Sequence, residues 1–226
     1  MTGNSRRDKI DDLLHAEKWL EARKLLEKEL KTDPQHHWLM TQIGVTFYEQ
    51  RRYKEAFERF QASRKIVSDC PLTLWNLAGT LDALGEFSRA LTIYRWLLQT
   101  SKSPDDDPCW ESQAWTEALK SDCVYRIGVC FQHLGKRQKA RDCYAQYLHL
   151  LSIGMEGSYL IDDVKRQWQT LPSFSKPGGA QSEFRKAVKA TLQISGIERR
   201  KERPATPLKI NLRPPATSQR ASQRQR

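Results

Sequence analysis

Three carboxylates in a row, Asp105, Asp106 and Asp107, are the residues of this sequence best suited by type to hold a cation, and Pro108 follows them directly. Carboxylates before a proline equally match the free N–H groups and partial positive charge of a helix N-terminus, and that simpler role is the one the spacing favours. The five cysteines, Cys70, Cys109, Cys123, Cys130 and Cys143, form no CxxC pair. Cys130 and Cys143 can meet across one helical hairpin, but no histidine stands at ligand spacing from them, so they read as reduced thiols packed as small hydrophobes. His36 and His37 precede a helix and help start it. No GxxxxGK[ST], GxGxxG, GxSxG or HExxH pattern occurs, and Gly178-Gly179 lies in a proline-containing linker. The chain is therefore expected to be no enzyme and to use no cofactor or metal. What remains is non-covalent contact, for which its seven tryptophans and seven tyrosines are well suited, because rigid rings give large contact area at small entropic cost.

Those rings need helices to position them, and the helices announce themselves as a repeat. Over 75–90, WNLAGTLDALGEFSRA, apolar Leu77, small Ala78 and large Leu81 stand at helical spacing, followed by Gly85, aromatic Phe87 and small Ala90. Ile127, Gly128, Phe131, Gly135 and Ala140 fill the same places downstream. Ile43, Gly44, Phe47, Tyr53 and Ala56 fill them upstream, and Ile10, Leu13, Trp19 and Ala22 form a weaker first copy. Ala22, Ala56 and Ala90 are 34 residues apart, and Ala140 follows after 50, which is that period with an insertion of 16. A period of this length marks stacked helix pairs. Leu26, Phe60, Tyr94 and Tyr144 each fall four residues after the repeated alanine, on the same helical face.

Over about residues 6–151 the chain resembles the tetratricopeptide repeat family, through the small-then-large pair of the first helix, the small residue of the second, and Pro34, Pro71 and Pro104 near the repeat ends. The resemblance implies an all-α, right-handed superhelical solenoid of about four helix-turn-helix repeats, in which small residues let neighbouring helices approach closely. The repeats are expected at about 3–36, 37–70, 71–104 and 121–154. A flexible N-terminus, 1–6, precedes them. The insertion, 105–120, is expected to lengthen the first helix of the fourth repeat from Pro108 onward and to carry Trp110 and Trp115 on a projection, as a hook over the neighbouring repeat or a secondary contact for a partner. A capping helix is expected over 155–171, with Leu160, Ile161, Val164, Trp168 and Leu171 on one face, then a linker, 172–180, and an amphipathic helix, 181–195, with Phe184, Val188 and Leu192 on one side.

In this family the first helices line a concave groove, and the resemblance assigns to it Trp38, Thr41, Val45 and Tyr48 of the second repeat and Leu72, Trp75, Asn76, Gly79 and Asp82 of the third. The fourth contributes Tyr125, Arg126, Val129 and His133, while Arg7 and Asp11 hold the matching face of the first. Such an aromatic, apolar wall implies a protein or peptide partner, with Trp38, Tyr48, Trp75 and Tyr125 as anchors and Asn76 and Arg126 fixing the peptide backbone. Relatives that hold the C-terminal carboxylate of chaperones use a set of Lys, Asn and Arg. The matching places here read Thr41, Val45, Asn76, Asp122 and Arg126, and Asp122 would repel a carboxylate. The adaptor or chaperone role so implied includes, as one subtype, the bacterial type III secretion chaperones, which are similar in repeat number and apolar groove but usually acidic.

This chain is basic, with a formal charge of +11, and the excess is uneven. From residue 196 to 226, Arg199, Arg200, Lys201, Arg203, Lys209, Arg213 and three further arginines face Glu198 and Glu202, so this stretch holds +7 and the rest +4. With few large apolar residues it reads as a disordered basic tail. It suits salt-sensitive attachment to nucleic acid, a ribosome or an acidic surface, or a return of its own PLKINL into the groove. Neither a membrane-spanning run nor a secretory signal is present, and a cytoplasmic location is expected.

Overall fold

A computed structural model describes residues 3–102 and 108–171. The linker over 172–180, the amphipathic helix over 181–195, the basic tail with its Arg199 to Arg213 cluster, and Asp105 to Asp107 all lie outside the described residues. Among the described residues every regular element is helical: α1 (Gly3–His15), α2 (Trp19–Thr32), α3 (His37–Glu49), α4 (Tyr53–Ile66), α5 (Pro71–Ala83), α6 (Phe87–Gln99), α7 (Gln113–His133), α8 (Arg137–Ser152) and α9 (Ile161–Thr170). None of them is long and apolar enough to cross a membrane. The first helix begins at Gly3, inside the stretch expected to be loose.

The chain divides into two compact units, one ending at Glu86 and one starting at Phe87. In the first, successive helices pack side by side from α1 to α5, and α5 also touches α3. Ala22, Ala56, Leu26 and Phe60, the residues picked out by the period, are wholly buried. Gly44 shows why a small residue stands in the first helix of a hairpin: a Cβ there would sit 2.5 Å from the Phe60 ring. The second unit repeats the device, with Gly128 pressed against Tyr144, as α6, α7, α8 and α9 follow one another in contact.

The turns inside the repeats share one conformation. Glu17, Arg51, Gly85 and Gly135 all have positive φ, at spacings of 34, 34 and 50 residues. In each turn the next amide closes on the carbonyl five residues earlier, as Glu86 N–H does on Leu81 at 2.8 Å and Arg52 N–H on Phe47 at 2.9 Å. A left-handed residue after the last helical turn is what such a closure requires, and glycine adopts it without strain.

Where the period breaks, the helix starts later than expected. A single 3-10 turn, Pro108–Trp110, is followed by Glu111 at φ 52, and α7 opens at Gln113. Ser112 is its cap, its hydroxyl accepting from the Trp115 amide at 3.1 Å, because a serine oxygen satisfies an N–H that the first turn leaves without a helical partner. Two substitutions separate the two uses of glycine. Gly85 has open space around it, so Gly85→Ala is expected to cost about 1–2 kcal/mol from the left-handed backbone alone. Gly44→Ala forces the Phe60 ring to move and should cost about 1–3 kcal/mol as overpacking. Chemical denaturation of both variants checks this, and Arg51→Gly should move stability in the opposite direction.

Candidate functional site

In the first unit, the first helices of the hairpins contribute Arg7 and Asp11 from α1, Trp38 and Val45 from α3, and Leu72 and Asn76 from α5. Trp38, Val45, Leu72 and Asn76 are each half-buried, so each keeps an accessible edge. The Arg7 guanidinium lies 4.6 Å from the centre of the Trp38 ring, a cation–π contact, and the His36 ring meets the same indole edge-on at 6.3 Å. Burial raises the Asp11 carboxyl above the usual range, with Arg7 and His15 pulling it back. Asn76 donates its amide to the Leu72 carbonyl at 2.8 Å, tying its side chain to its own helix. This face carries an aromatic anchor, two aliphatic contacts and one charge of each sign.

The other candidates of this unit are inside. Thr41 belongs to a buried hydroxyl cluster, 2.8 Å from Ser63 and 2.7 Å from Thr73, and Ser63 donates to the His37 carbonyl at 2.9 Å. The cluster joins α3, α4 and α5, so Thr41 holds helices together instead of facing a guest. Tyr48 is buried with its ring 5.3 Å from that of Tyr53. Trp75 is only 2% exposed, and Gly79 and Asp82 are buried. Trp75, assigned above as an anchor, therefore offers no accessible surface.

In the second unit the expected anchor Tyr125 is likewise 2% exposed, and its neighbours are the chain's own. The Tyr159 ring stacks on it at 3.9 Å, and its hydroxyl donates to Gln167 of α9 at 3.1 Å. Around this pair the segment after α8 is pinned by its backbone. Tyr147 accepts from the Tyr159 amide at 2.9 Å and donates to the Tyr159 carbonyl at 3.1 Å, while the Ser158 amide donates to Asp122 at 2.8 Å. Gly157 makes the approach possible, since a Cβ there would fall 2.5 Å from the Tyr147 hydroxyl. Arg141 then holds the end of α9: its guanidinium lies 4.0 Å from the Trp168 ring centre and donates to the carbonyls of Trp168 and Leu171.

The remaining fourth-repeat candidates follow the same pattern. Arg126 is buried and donates to the Tyr94 hydroxyl at 3.3 Å, and Val129 is buried. His133 is exposed, its ring stacked on Phe87 at 4.1 Å. Trp110 and Trp115 are not a projecting contact: both are buried, ring to edge at 6.4 Å, with the Thr116 hydroxyl reaching the Trp110 carbonyl. The capping helix, expected over 155–171, is α9, Ile161–Thr170; in it and at its ends Tyr159, Val164 and Leu171 are buried, while Leu160 and Ile161, expected on the sticky face, are exposed. The residues that sequence reasoning missed are Asp122 as an internal acceptor, Gly157, Arg141, Tyr147 and Tyr159. None of them recurs with the 34-residue period that located the others.

The family model described as Tetratricopeptide repeat matches residues 122–150, the hairpin of α7 and α8. The solved structure of the MamA RS-1 ArsTM double mutant is similar over 84% of this chain and 94% of its own, with a TM-score of 0.57 at 11% identity. A crystal structure of MamA is similar over 82% of this chain and 93% of its own, with a TM-score of 0.53 at 15% identity. At such identities the likeness is one of fold. No curated protein matches this sequence. With the hairpin geometry and turn spacing above, α7 and α8 form a hairpin of tetratricopeptide repeat type, and the described residues have an all-α fold similar to that of the MamA structures.

Asp122 gives the closed end of the second unit a pH dependence. Burial pushes its carboxyl up to about 7 from the ordinary 3.8, with the Ser158 amide pulling the other way. The folded state thus favours the neutral acid, so its contribution is full below about pH 4 and is lost as pH rises toward 7, by up to about 4 kcal/mol. Asp122→Asn keeps an acceptor for Ser158 and removes the charge. Melting temperatures of the two proteins compared between pH 4 and pH 8 should diverge in favour of the variant at high pH, and parallel curves would contradict this assignment.

Proposed function

We propose that the chain is a non-catalytic protein-interaction adaptor that holds an extended segment of a partner against the first-helix face of its first unit. The observation that carries this reading is the accessible Trp38, backed by Arg7 and accompanied by Val45 two turns along the same helix and by Leu72 and Asn76 on α5. An indole on a rigid helical scaffold is a typical binding anchor, and aliphatic neighbours supply side-chain pockets along an extended guest. The arginine stacked on that indole both fixes the ring and offers donors to a passing peptide carbonyl or carboxylate. The tetratricopeptide fold, common to interaction scaffolds, supports the same class of function.

Compared with the wall first inferred from the sequence, this face is shorter. Tyr125, Arg126 and Val129 serve the interior of the second unit, and a four-repeat groove is not part of the proposal. A chaperone role is a further reading of the same scaffold and shares its test, and a cytoplasmic site of action is a separate proposal. The competing reading, attachment to nucleic acid or a ribosome through Arg199, Arg200, Lys201, Arg203, Lys209 and Arg213, rests on composition.

Peptides selected by display on the full chain provide the probe. Calorimetric titration of a selected peptide should show Kd raised at least about thirtyfold by Trp38→Ala, the size of a loss of about 2 kcal/mol. Deletion of residues 197–226 should leave Kd within about twofold. Binding that ignores Trp38→Ala, or that disappears with the deletion and with moderate salt, would reject the reading in favour of the tail.

A further inference from the structure

Among the described residues, the exposed large hydrophobic side chains are Leu20, Trp96, Ile153, Leu160 and Ile161, and three of these five fall within one short stretch of the second unit. Leu160 is 71% exposed, Ile153 48% and Ile161 46%, at the turn after α8 and the first residue of α9. Acidic groups accompany them, with Glu156 and Asp162 exposed and Asp163 half-buried. Exposed aliphatics rimmed by charge mark a surface that takes an apolar, oppositely charged cover.

The repeat logic says what kind of cover is missing. In the described hairpins the first helix is followed by a second that packs on it, α2 on α1, α4 on α3 and α8 on α7. Helix α9 packs back on α8 and has no second helix after it among the described residues. Downstream, residues 182–194, SEFRKAVKATLQI, place Phe184, Val188 and Leu192 four residues apart, with Ala187 and Thr191 between them. This is one apolar stripe at helical spacing. Arg185, Lys186 and Lys189 lie beside it, against a single Glu183. The intervening residues, 172–181, reach about 35 Å when extended, whereas returning along α9 needs only about 15 Å.

We propose that residues 182–194 form the second helix of the last hairpin and lie on the Ile153, Leu160 and Ile161 surface, with their basic residues toward Glu156, Asp162 and Asp163. The occupant is the chain itself, which covers its own open end. Burying this surface needs no partner and no second copy.

Hydrogen exchange of the full chain, followed by mass spectrometry, tests this. Peptides covering 184–194 should exchange at least about tenfold slower than the coil rate, independently of protein concentration. Leu160→Asp with Ile161→Asp changes only exposed positions, so circular dichroism should keep the α1–α9 signal while the protection is lost. Phe184→Asp, outside the described residues, should give the same loss and decides the matter if the double variant is itself destabilised. Coil-rate exchange in the unaltered chain, protection that survives Phe184→Asp, or protection that falls on dilution, as pairing of two copies would give, overturns the proposal.

Discussion

The contact on which this structure depends is that of a glycine in the first helix of a hairpin with an aromatic ring in the second. Gly44 meets Phe60 and Gly128 meets Tyr144, each pair closer than any Cβ would allow. A hairpin of two short amphipathic helices is marginal alone, because it buries too little apolar surface to offset the entropy of ordering. Close approach lets one ring fill the groove of its partner helix, and stacking buries what remains. The repeated alanines at 22, 56, 90 and 140, all wholly buried, serve the same close packing. Register follows from this constraint, and from register follows which residues stay outside.

The repeats were legible in the sequence because packing imposes a period, and the period located the hairpins, the buried alanines and the glycine turns. It was less informative where chemistry and conformation part. Glu17 and Arg51 occupy the left-handed turn position without being glycine, so only their spacing from Gly85 betrays them. The insertion broke the period, and a proline after three carboxylates suggested a helix start that the chain makes five residues later, at Gln113 behind the Ser112 cap.

The candidate face was legible only in part, for a reason that lies in how helices are read. A helical wheel separates residues facing the partner helix from the rest, but it does not say what else comes to lie on the rest. Over 121–130 every residue of α7 is buried, so no side of that stretch is left to read as surface. Tyr125 was expected on the groove wall and yet is covered, because Tyr144 and Tyr147 of the partner helix lie against it and Tyr159 and Gln167, more than thirty residues on, close over it. Thr41 was assigned to a groove wall, but its hydroxyl found Ser63 and Thr73, an exchange of buried polar groups that no periodicity encodes. Trp38 and its neighbours survive as a face because the helices beside them leave one edge of each side chain open.

The chain itself fills the face of its fourth repeat, which leaves the Trp38 face of the first unit as the proposed place for a guest. The most direct measurement is the nuclear Overhauser contact between the Tyr125 and Tyr159 rings in the full chain in solution. Rings centred 3.9 Å apart should give strong cross-peaks between their ring protons, together with upfield ring-current shifts. Sharp, unshifted Tyr125 resonances with no contact to Tyr159 would mean that the face is open, and the division of roles argued here would be wrong.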